Sequence, residues 1–336
     1  MGRNDTCEKA FMADNTIFAD VVNGVIFHGE QRVRPEDLEE QDSTEAYARM
    51  VNGTLLERQK YRDVLKNVII KEDDHYKYIL VGIENQTAVN YAMVARVMLY
   101  DAINYMDKAD ALSKKDPSAS THDKISTSIS GFCKGETLTP VITIVVYFGV
   151  NDWDAPRSLH ELLPDDLPQE VIDLVPDYKI TVLSPREVDD PSVFKTSMRA
   201  ITKALAVGKK ENKSQMKELM DNDPDFLSVD SRAATIINRV TKMGIKIPQN
   251  QKEVNMCEAV REWREELLTE GKAAGKAEGK AEGKAEGKAE GKEHTENVFA
   301  QLAEAMRKHN CPAEDFARVM SDAAFREEMK QKYGIE

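Results

Sequence analysis

The first regular alternation of apolar and polar residues lies in residues 14–30 (DNTIFADVVNGVIFHGE). Apolar side chains recur there three and four positions apart, which is the spacing of one helix face. They are Ile17, Phe18, Val21, Val22, Val25 and Ile26. Asp14 or Asn15 comes just before them, and either side chain can accept a hydrogen bond from the unpaired backbone N–H groups of a first helical turn. The pattern predicts an amphipathic helix that begins at residue 14 or 15.

Three later runs have the composition of β-strands, and they cover residues 63–70, 76–85 and 141–148. The third, VITIVVYF, is apolar throughout, which is typical of a strand buried on both faces of a sheet. Between the second and third runs, residues 88–106 carry apolar side chains at helical spacing. The order helix, strand, strand, helix, strand predicts an α/β domain.

The remaining segments are more polar. Residues 34–45 indicate a solvated acidic connection, and residues 114–128 (KKDPSASTHDKISTS) indicate a polar insert. Beyond residue 149, Pro-rich loops separate short predicted helices and one longer polar helix. We expect these helices at residues 158–163, 167–174, 192–207, 212–221 and 251–270, with two or three more in residues 295–336.

A tetrad array begins at Gly271 with GKAA, continues through four copies of GKAE to Glu290, and is followed by GKEH. Lys, Ala and Glu favour helix, whereas each Gly in a helix interior costs about 1 kcal/mol relative to Ala. Two interpretations follow: a solvated helical spacer, or a seam of close contact between two chains. We favour the spacer because the array contains no apolar stripe, and a homo-oligomer formed through the C-terminal helices stays open as the alternative.

The formal net charge of −13 makes most of the surface repel a polyanion. That charge argues against a tight static DNA binder, but an enzyme that holds a divalent metal needs positive charge only locally. No apolar run reaches the ~18 residues that span a membrane, and the first fifteen residues lack the apolar stretch of a secretory signal. Four widely separated cysteines favour reduced thiols and a cytoplasmic location over a disulfide framework or a zinc site.

Two carboxylates stand at the ends of successive predicted strands. Asp63 opens the first strand and Glu84 closes the second, so a paired arrangement brings both to one end of the sheet. Hard oxygen ligands of this kind suit Mg²⁺ or Mn²⁺, and a metal held there can activate water against a phosphodiester. Gln86 lies two residues beyond Glu84 and therefore faces the same side of the strand. The alternative interpretation is that these polar residues merely end a strand at the surface.

Three further residues are supporting candidates, each with a structural alternative. Asp20 is either another acid near the metal or an exposed acid on the first helix. Arg96 is either a phosphate contact or the partner of Asp101 or another acid. Lys66 either takes the place of a catalytic lysine or lies at the surface. The array glycines follow no strand and no GxxxxGK[ST] motif is present, which disfavours a nucleotide-driven enzyme.

Several segments together resemble one known family. They include YRDVLK at residues 61–66, ILVGIENQT at 79–87, the helix with Tyr91, Arg96 and Tyr100, and VVYFG at 145–149. FADVVNGVIFHG at 18–29 and the series Trp153, Leu159 and Leu162 extend the resemblance over roughly residues 14–200. The family is the Rpn group of recombination-promoting, transposase-like nucleases, within the PD-(D/E)XK superfamily. Many of its members also carry tails similar to the GKAE array.

The resemblance implies a restriction-endonuclease-like mixed sheet flanked by helices, followed by an α-helical C-terminal region. It implies metal-dependent DNA cleavage with Asp63 and Glu84 as metal ligands and Gln86 as the last position of an E-x-Q motif, where the parent superfamily has lysine. The expected organisation is a nuclease-like domain at 14–200, a helical extension at 201–270, a spacer at 271–294 and a small helical segment at 295–336. The alternative function is a catalytically weak relative that acts as a DNA-associated or regulatory interaction protein.

Overall fold

A computed structural model describes residues 5–51, 54–72, 75–113, 136–208, 213–248 and 250–335. The chain divides into two compact units, Met1–Trp263 and Arg264–Glu336. The polar insert predicted at residues 114–128 lies outside the described residues. No helix in the described ranges is both long enough and apolar enough to cross a bilayer.

A five-stranded mixed sheet forms the centre of the first unit, in the order β1-β4-β5-β6-β7. β4 pairs antiparallel with both β1 and β5, whereas β5, β6 and β7 run parallel. The strands are β1 (Leu38–Glu40), β4 (Val64–Glu72), β5 (His75–Gln86), β6 (Val141–Tyr147) and β7 (Thr181–Leu183). β2 (Thr44–Val51) and β3 (Thr54–Tyr61) form a separate hairpin, and β8 (Val229–Asp230) pairs with β9 (Glu253–Val254). The predicted α/β class is confirmed.

Helices cover the sheet because its central strands are apolar on both faces. The helices of the first unit are α1 (Asp5–Ala13), α2 (Asn15–Ile26), α3 (Met93–Ser113), α4 (Gln169–Ile172), α5 (Ser197–Gly208), α6 (Lys213–Asn222) and α7 (Ser231–Thr241). The predicted first helix is α2, and the carboxylate of Asp14 caps it by accepting a hydrogen bond from the backbone N of Thr16 at 2.9 Å. α3 is the crossover between β5 and β6, which parallel pairing requires.

The two sheet faces have separate cores. One face packs in the main core with side chains of α1, α2, α5 and α7, and this core includes residues as late as Val260. The other face carries a smaller core with Met93, Val94 and Val97 of α3, and a satellite cluster of Leu65, Leu80 and Val141 with Tyr105. Residues 201–260 therefore share a core with the sheet.

Several segments differ from their predicted form. The solvated connection predicted at residues 34–45 is wrong for Leu38 and Asp37, which are buried. Asp37 pairs with Lys71 at 2.5 Å, and Leu38 begins β1. The sequence pattern did not indicate α1, β7 or α7, and the long polar helix begins later than predicted, at Met256, after β9.

The second unit is helical. It contains most of α8 (Met256–Lys308), then α9 (Ala313–Ser321) and α10 (Ala323–Tyr333). The end of α8 packs with α9 and α10 around a small core that consists of Val298, Leu302, Met306, Val319 and Met329. The GKAE array is helical and its residues are exposed throughout. The predicted helical C-terminal region is confirmed.

Candidate functional site

The register of the sheet places Asp63 beside the end of β5. Val64 pairs with Ile83 in the antiparallel ladder, so the next position on each strand brings Asp63 alongside Glu84. The Asp63 carboxylate accepts a hydrogen bond from the backbone N of Asn85 at 2.8 Å. Asp63 and Glu84 therefore lie at the same end of the sheet, as the sequence predicts. Their use as catalytic residues stays a prediction.

Glu84 is buried, with 2% of its surface exposed, yet it carries a charge partner. Nη2 of Arg96, in the first turns of α3, lies 2.5 Å from Glu84 Oε1. Nε2 of Gln86 donates to the same oxygen at 3.3 Å and to the backbone O of Asn85 at 2.8 Å. Arg96 thus pairs with an acid other than Asp101, and the structure brings Asp63, Glu84, Gln86 and Arg96 together.

The charges at this site act on one another. Burial raises the pKa of Asp63 above its usual value, although the backbone N–H of Asn85 and the ammonium of Lys9 lower it in part. Burial also disfavours the charge of Arg96, but Glu84 and Tyr100 outweigh this effect and raise the pKa of the guanidinium. Asp63 acts on Arg96 in the same direction. A single guanidinium therefore interacts with both candidate carboxylates.

A buried polar network lies behind Arg96. Arg62, fully buried next to Asp63, pairs with Asp101 of α3 at 2.7 Å. Thr143 Oγ1 of β6 donates to Asp101 at 2.6 Å, and the Tyr178 hydroxyl donates to its other oxygen. Burial, together with the bond to Asp101, raises the pKa of Tyr178, which keeps the phenol protonated. The network fixes α3 against the sheet at the level of Arg96.

Gly82 makes room for this network. A Cβ at Gly82 would lie 2.7 Å from Nη1 of Arg62, closer than real carbon contacts allow. The glycine in the apolar run YILVGI therefore lies where the buried guanidinium of Arg62 crosses β5. Tyr100 completes the arrangement, because Arg62 lies 5.2 Å from its ring centroid and Arg96 lies 5.6 Å from it.

Lys66 is not part of this group. It pairs with Val81, so it points to the sheet face opposite Glu84. It is fully buried, which makes its interpretation as a surface residue wrong. Its ammonium donates to the backbone O of Ala13 at 2.6 Å and to Asn15 Oδ1, which ties β4 to the junction of α1 and α2. Burial lowers the pKa of Lys66, and Glu40, 3.6 Å away, opposes that shift.

Asp20 also lies elsewhere, and it is a buried residue rather than an exposed helix acid. Its carboxylate accepts hydrogen bonds from the backbone N of Lys195 at 2.8 Å, from the backbone N of Thr196 at 2.9 Å and from Thr196 Oγ1 at 2.6 Å. These bonds hold the segment that leads into α5. The geometry explains the burial of Asp20 without a metal.

Four residues near the site were not among the predicted site residues: Lys9, Arg62, Tyr100 and Asp101. Lys9 comes from α1, far from Asp63 in the chain, and nothing local marks it. Arg62, Tyr100 and Asp101 carried one weak signal. Arg62 is adjacent to Asp63, Tyr100 lies one helical turn after Arg96, and Asp101 follows Tyr100, all on segments that are otherwise mostly apolar.

The donor atoms at the site are hard oxygens. Asp63 and Glu84 supply two carboxylates, and the side chain of Gln86 supplies an amide oxygen. Among the residues that the structure describes, no group of three or more His, Cys, Asp or Glu side chains is placed to hold a metal ion. Mg²⁺ usually takes one or two protein carboxylates and completes its shell with water and substrate oxygens. The donor set fits such an ion if the Arg96 guanidinium moves away from the Glu84 carboxylate.

Comparison with known proteins gives one match. A family model described as "Putative transposase, YhgA-like" matches residues 47–235. This segment begins in the β2–β3 hairpin, includes Asp63, Glu84, Gln86 and Arg96, and ends in α7. No curated protein and no solved structure matches the chain.

Proposed function

Because the chain belongs to the YhgA-like transposase family, we propose that it is a Mg²⁺- or Mn²⁺-dependent DNA endonuclease that hydrolyses phosphodiester bonds. The membership also confirms the resemblance to Rpn nucleases inferred from residues 14–200. The observation that carries the proposal is the juxtaposition of a buried and a half-buried carboxylate, Glu84 and Asp63, at neighbouring strand ends. Burying acidic groups without a balancing cation is costly; Arg96 balances Glu84, and a divalent ion would balance both carboxylates at once.

Each residue has a role that its position supports. Asp63 and Glu84 would hold the metal, and a bound cation would offset the burial that raises the pKa of Asp63. The metal, once bound, would activate a water molecule and stabilise negative charge on the phosphate. The amide group of Gln86 donates to Glu84 and Asn85, which leaves its carbonyl oxygen as an acceptor that can orient a water molecule.

The ion pair between Arg96 and Glu84 favours a second candidate function. A guanidinium 2.5 Å from one carboxylate competes with any metal, and Gln86 supplies no charge where the superfamily has lysine. The net charge of −13 further limits binding to DNA. These features are consistent with a catalytically weak relative that acts as a DNA-associated or regulatory protein.

Cleavage of supercoiled plasmid separates the two candidates. We expect the purified full chain to nick plasmid in Mg²⁺ and to lose this activity in EDTA. Glu84→Gln should lower the rate at least about 100-fold, because metal-ion catalysis supplies several kcal/mol and each 1.36 kcal/mol is a factor of ten. The matched control is Glu39→Gln, which removes an exposed carboxylate from β1 of the same sheet and should leave the rate unchanged.

Three other outcomes would count against the proposed endonuclease. Equal nicking by the parent and Glu84→Gln would mean that cleavage takes place at another site or comes from a contaminant. DNA binding by the parent without cleavage in either metal would support the second candidate. If the parent neither binds nor cleaves DNA, both candidate functions are excluded.

A further inference from the structure

We propose that Arg96 is the resident counter-ion of this site, which holds Glu84 before a metal binds and transfers to a DNA phosphate when the metal takes its place. This inference rests on the proposed function and assigns Arg96 a regulatory and positioning role within it. It makes metal binding and phosphate binding two halves of one exchange.

The burial of the two partners differs in the way such an exchange requires. Glu84 has 2% of its side chain exposed and stays in place as part of β5. Arg96 has 31% of its side chain exposed, so the side chain that contacts the buried carboxylate also reaches solvent. A phosphate oxygen can approach the cation from the solvent side without rearrangement of the sheet.

The tether of Arg96 is separate from its ion pair. Its Nε donates to the Tyr100 hydroxyl at 2.8 Å, whereas Nη2 contacts Glu84. Tyr100 is fully buried, and the fixed Arg62–Asp101 pair supports its ring. The guanidinium can therefore release Glu84 while Tyr100 keeps it within reach of the site.

Charge repulsion prevents a metal ion and the Arg96 guanidinium from contacting Glu84 at the same time. A divalent ion on Glu84 would repel a guanidinium that contacts the same carboxylate. Planar guanidinium groups bind phosphate through two parallel hydrogen bonds, which gives the displaced cation a favourable partner on the substrate. Gln86 is neutral and Lys66 faces the other side of the sheet, so Arg96 is the cation of the predicted site set that is placed for this role.

Metal affinity in the absence of DNA tests the first half of the exchange. We would titrate the full chain with Mn²⁺ by isothermal titration calorimetry. Arg96→Gln should bind Mn²⁺ about tenfold more tightly than the parent, because the competing cation is gone. Arg96→Lys keeps the charge and should stay close to the parent. The control Arg157→Gln removes an exposed ion pair with Glu187, 3.0 Å long, and should change nothing.

DNA affinity tests the second half. A short fluorescent duplex would be titrated in Ca²⁺, which takes the same oxygen ligands, and followed by anisotropy. Arg96→Gln should bind the duplex about tenfold more weakly, so metal affinity and DNA affinity change in opposite directions. A purely structural role for Arg96 predicts that both affinities fall together, with a loss of circular dichroism signal, and that result would overturn the inference.

Unchanged Mn²⁺ affinity in Arg96→Gln would also overturn it. Failure of the proposed function is recognised separately, through Glu84→Gln. If Glu84→Gln binds Mn²⁺ as tightly as the parent, the metal does not use this carboxylate, whatever the Arg96 variants do.

Discussion

Burial of Asp63 beside the end of β5 makes its charged form less stable in the folded chain than in water, which raises the pKa of the carboxyl. The hydrogen bond from Asn85 and the charge of Lys9 offset only part of this cost. A residue that only ended a strand would gain stability as a neutral side chain. Stability of the fold without metal therefore favours a neutral side chain at position 63, whereas the proposed metal site needs a carboxylate there.

The Asp63→Asn variant should melt a few degrees above the parent at pH 7 in the absence of metal. The folded-state pKa of Asp63 lies above the unfolded value, so its ionisation destabilises the fold at neutral pH. Below the unfolded value, near pH 4, the carboxyl is protonated in both states and the gain should vanish. Scanning calorimetry across this pH range measures the difference.

The control for this prediction is Asp166→Asn, which neutralises an exposed loop carboxylate. Its melting temperature should follow that of the parent at every pH. Adding Mn²⁺ should raise the melting temperature of the parent and not that of Asp63→Asn. A variant that melts below the parent at pH 7 would show that the charged form of Asp63 stabilises the fold.

Secondary-structure elements near the site could be predicted where the pattern of neighbouring residues alone indicates them. The strands around Asp63 and Glu84 follow from β-rich apolar runs, and the helix α3 follows from the 3.6-residue period; both patterns depend on neighbouring positions alone. Short β7 has only three residues and adds no such period. Asp20 and Lys66 escaped prediction because their partners, Thr196 and Asn15, lie 176 and 51 positions away. A single sequence carries no signal of such pairings.

Asp20 connects two elements, α2 and the start of α5, and Asp20→Ala should break that connection. The change leaves two backbone N–H groups, those of Lys195 and Thr196, without their acceptor. We expect a loss of about 2 to 3 kcal/mol in the free energy of unfolding, with unchanged Mn²⁺ affinity. Urea titration followed by tryptophan fluorescence measures it, since Trp153 and Trp263 both belong to the first unit.

Asp190→Ala is the matched control for this change. Asp190 is exposed and caps a single turn by accepting a hydrogen bond from the backbone N of Ser192 at 2.9 Å. Its loss should cost less than about 1 kcal/mol. Weaker Mn²⁺ binding by Asp20→Ala at unchanged stability would instead place Asp20 in the metal site.

At the scale of the whole molecule, the two units differ in the size of their apolar cores. The first unit has a large apolar core that includes residues from Phe11 to Val260. The second has a small core at the end of α8, and the GKAE array before it buries nothing. Composition indicated the exposed helix correctly, because a repeat with one Ala per tetrad and no larger apolar residue cannot form a core. Its role as a spacer or as a seam between chains stays a prediction.

Replacing Gly279, Gly283 and Gly287 by alanine decides between these two roles. A Cβ at each position meets no atom within 4 Å, so the side chain fits without strain. In a spacer, each change should stabilise the helix by about 1 kcal/mol and leave the oligomeric state of the protein unchanged. Thermal melts by circular dichroism and sedimentation equilibrium would measure the two quantities on the parent and the triple variant. Gly334→Ala is a control of opposite sign, because Gly334 ends α10 at φ +65° and alanine is strained there. A parent dimer that the triple variant converts to monomer would show that the glycines line a contact between two chains.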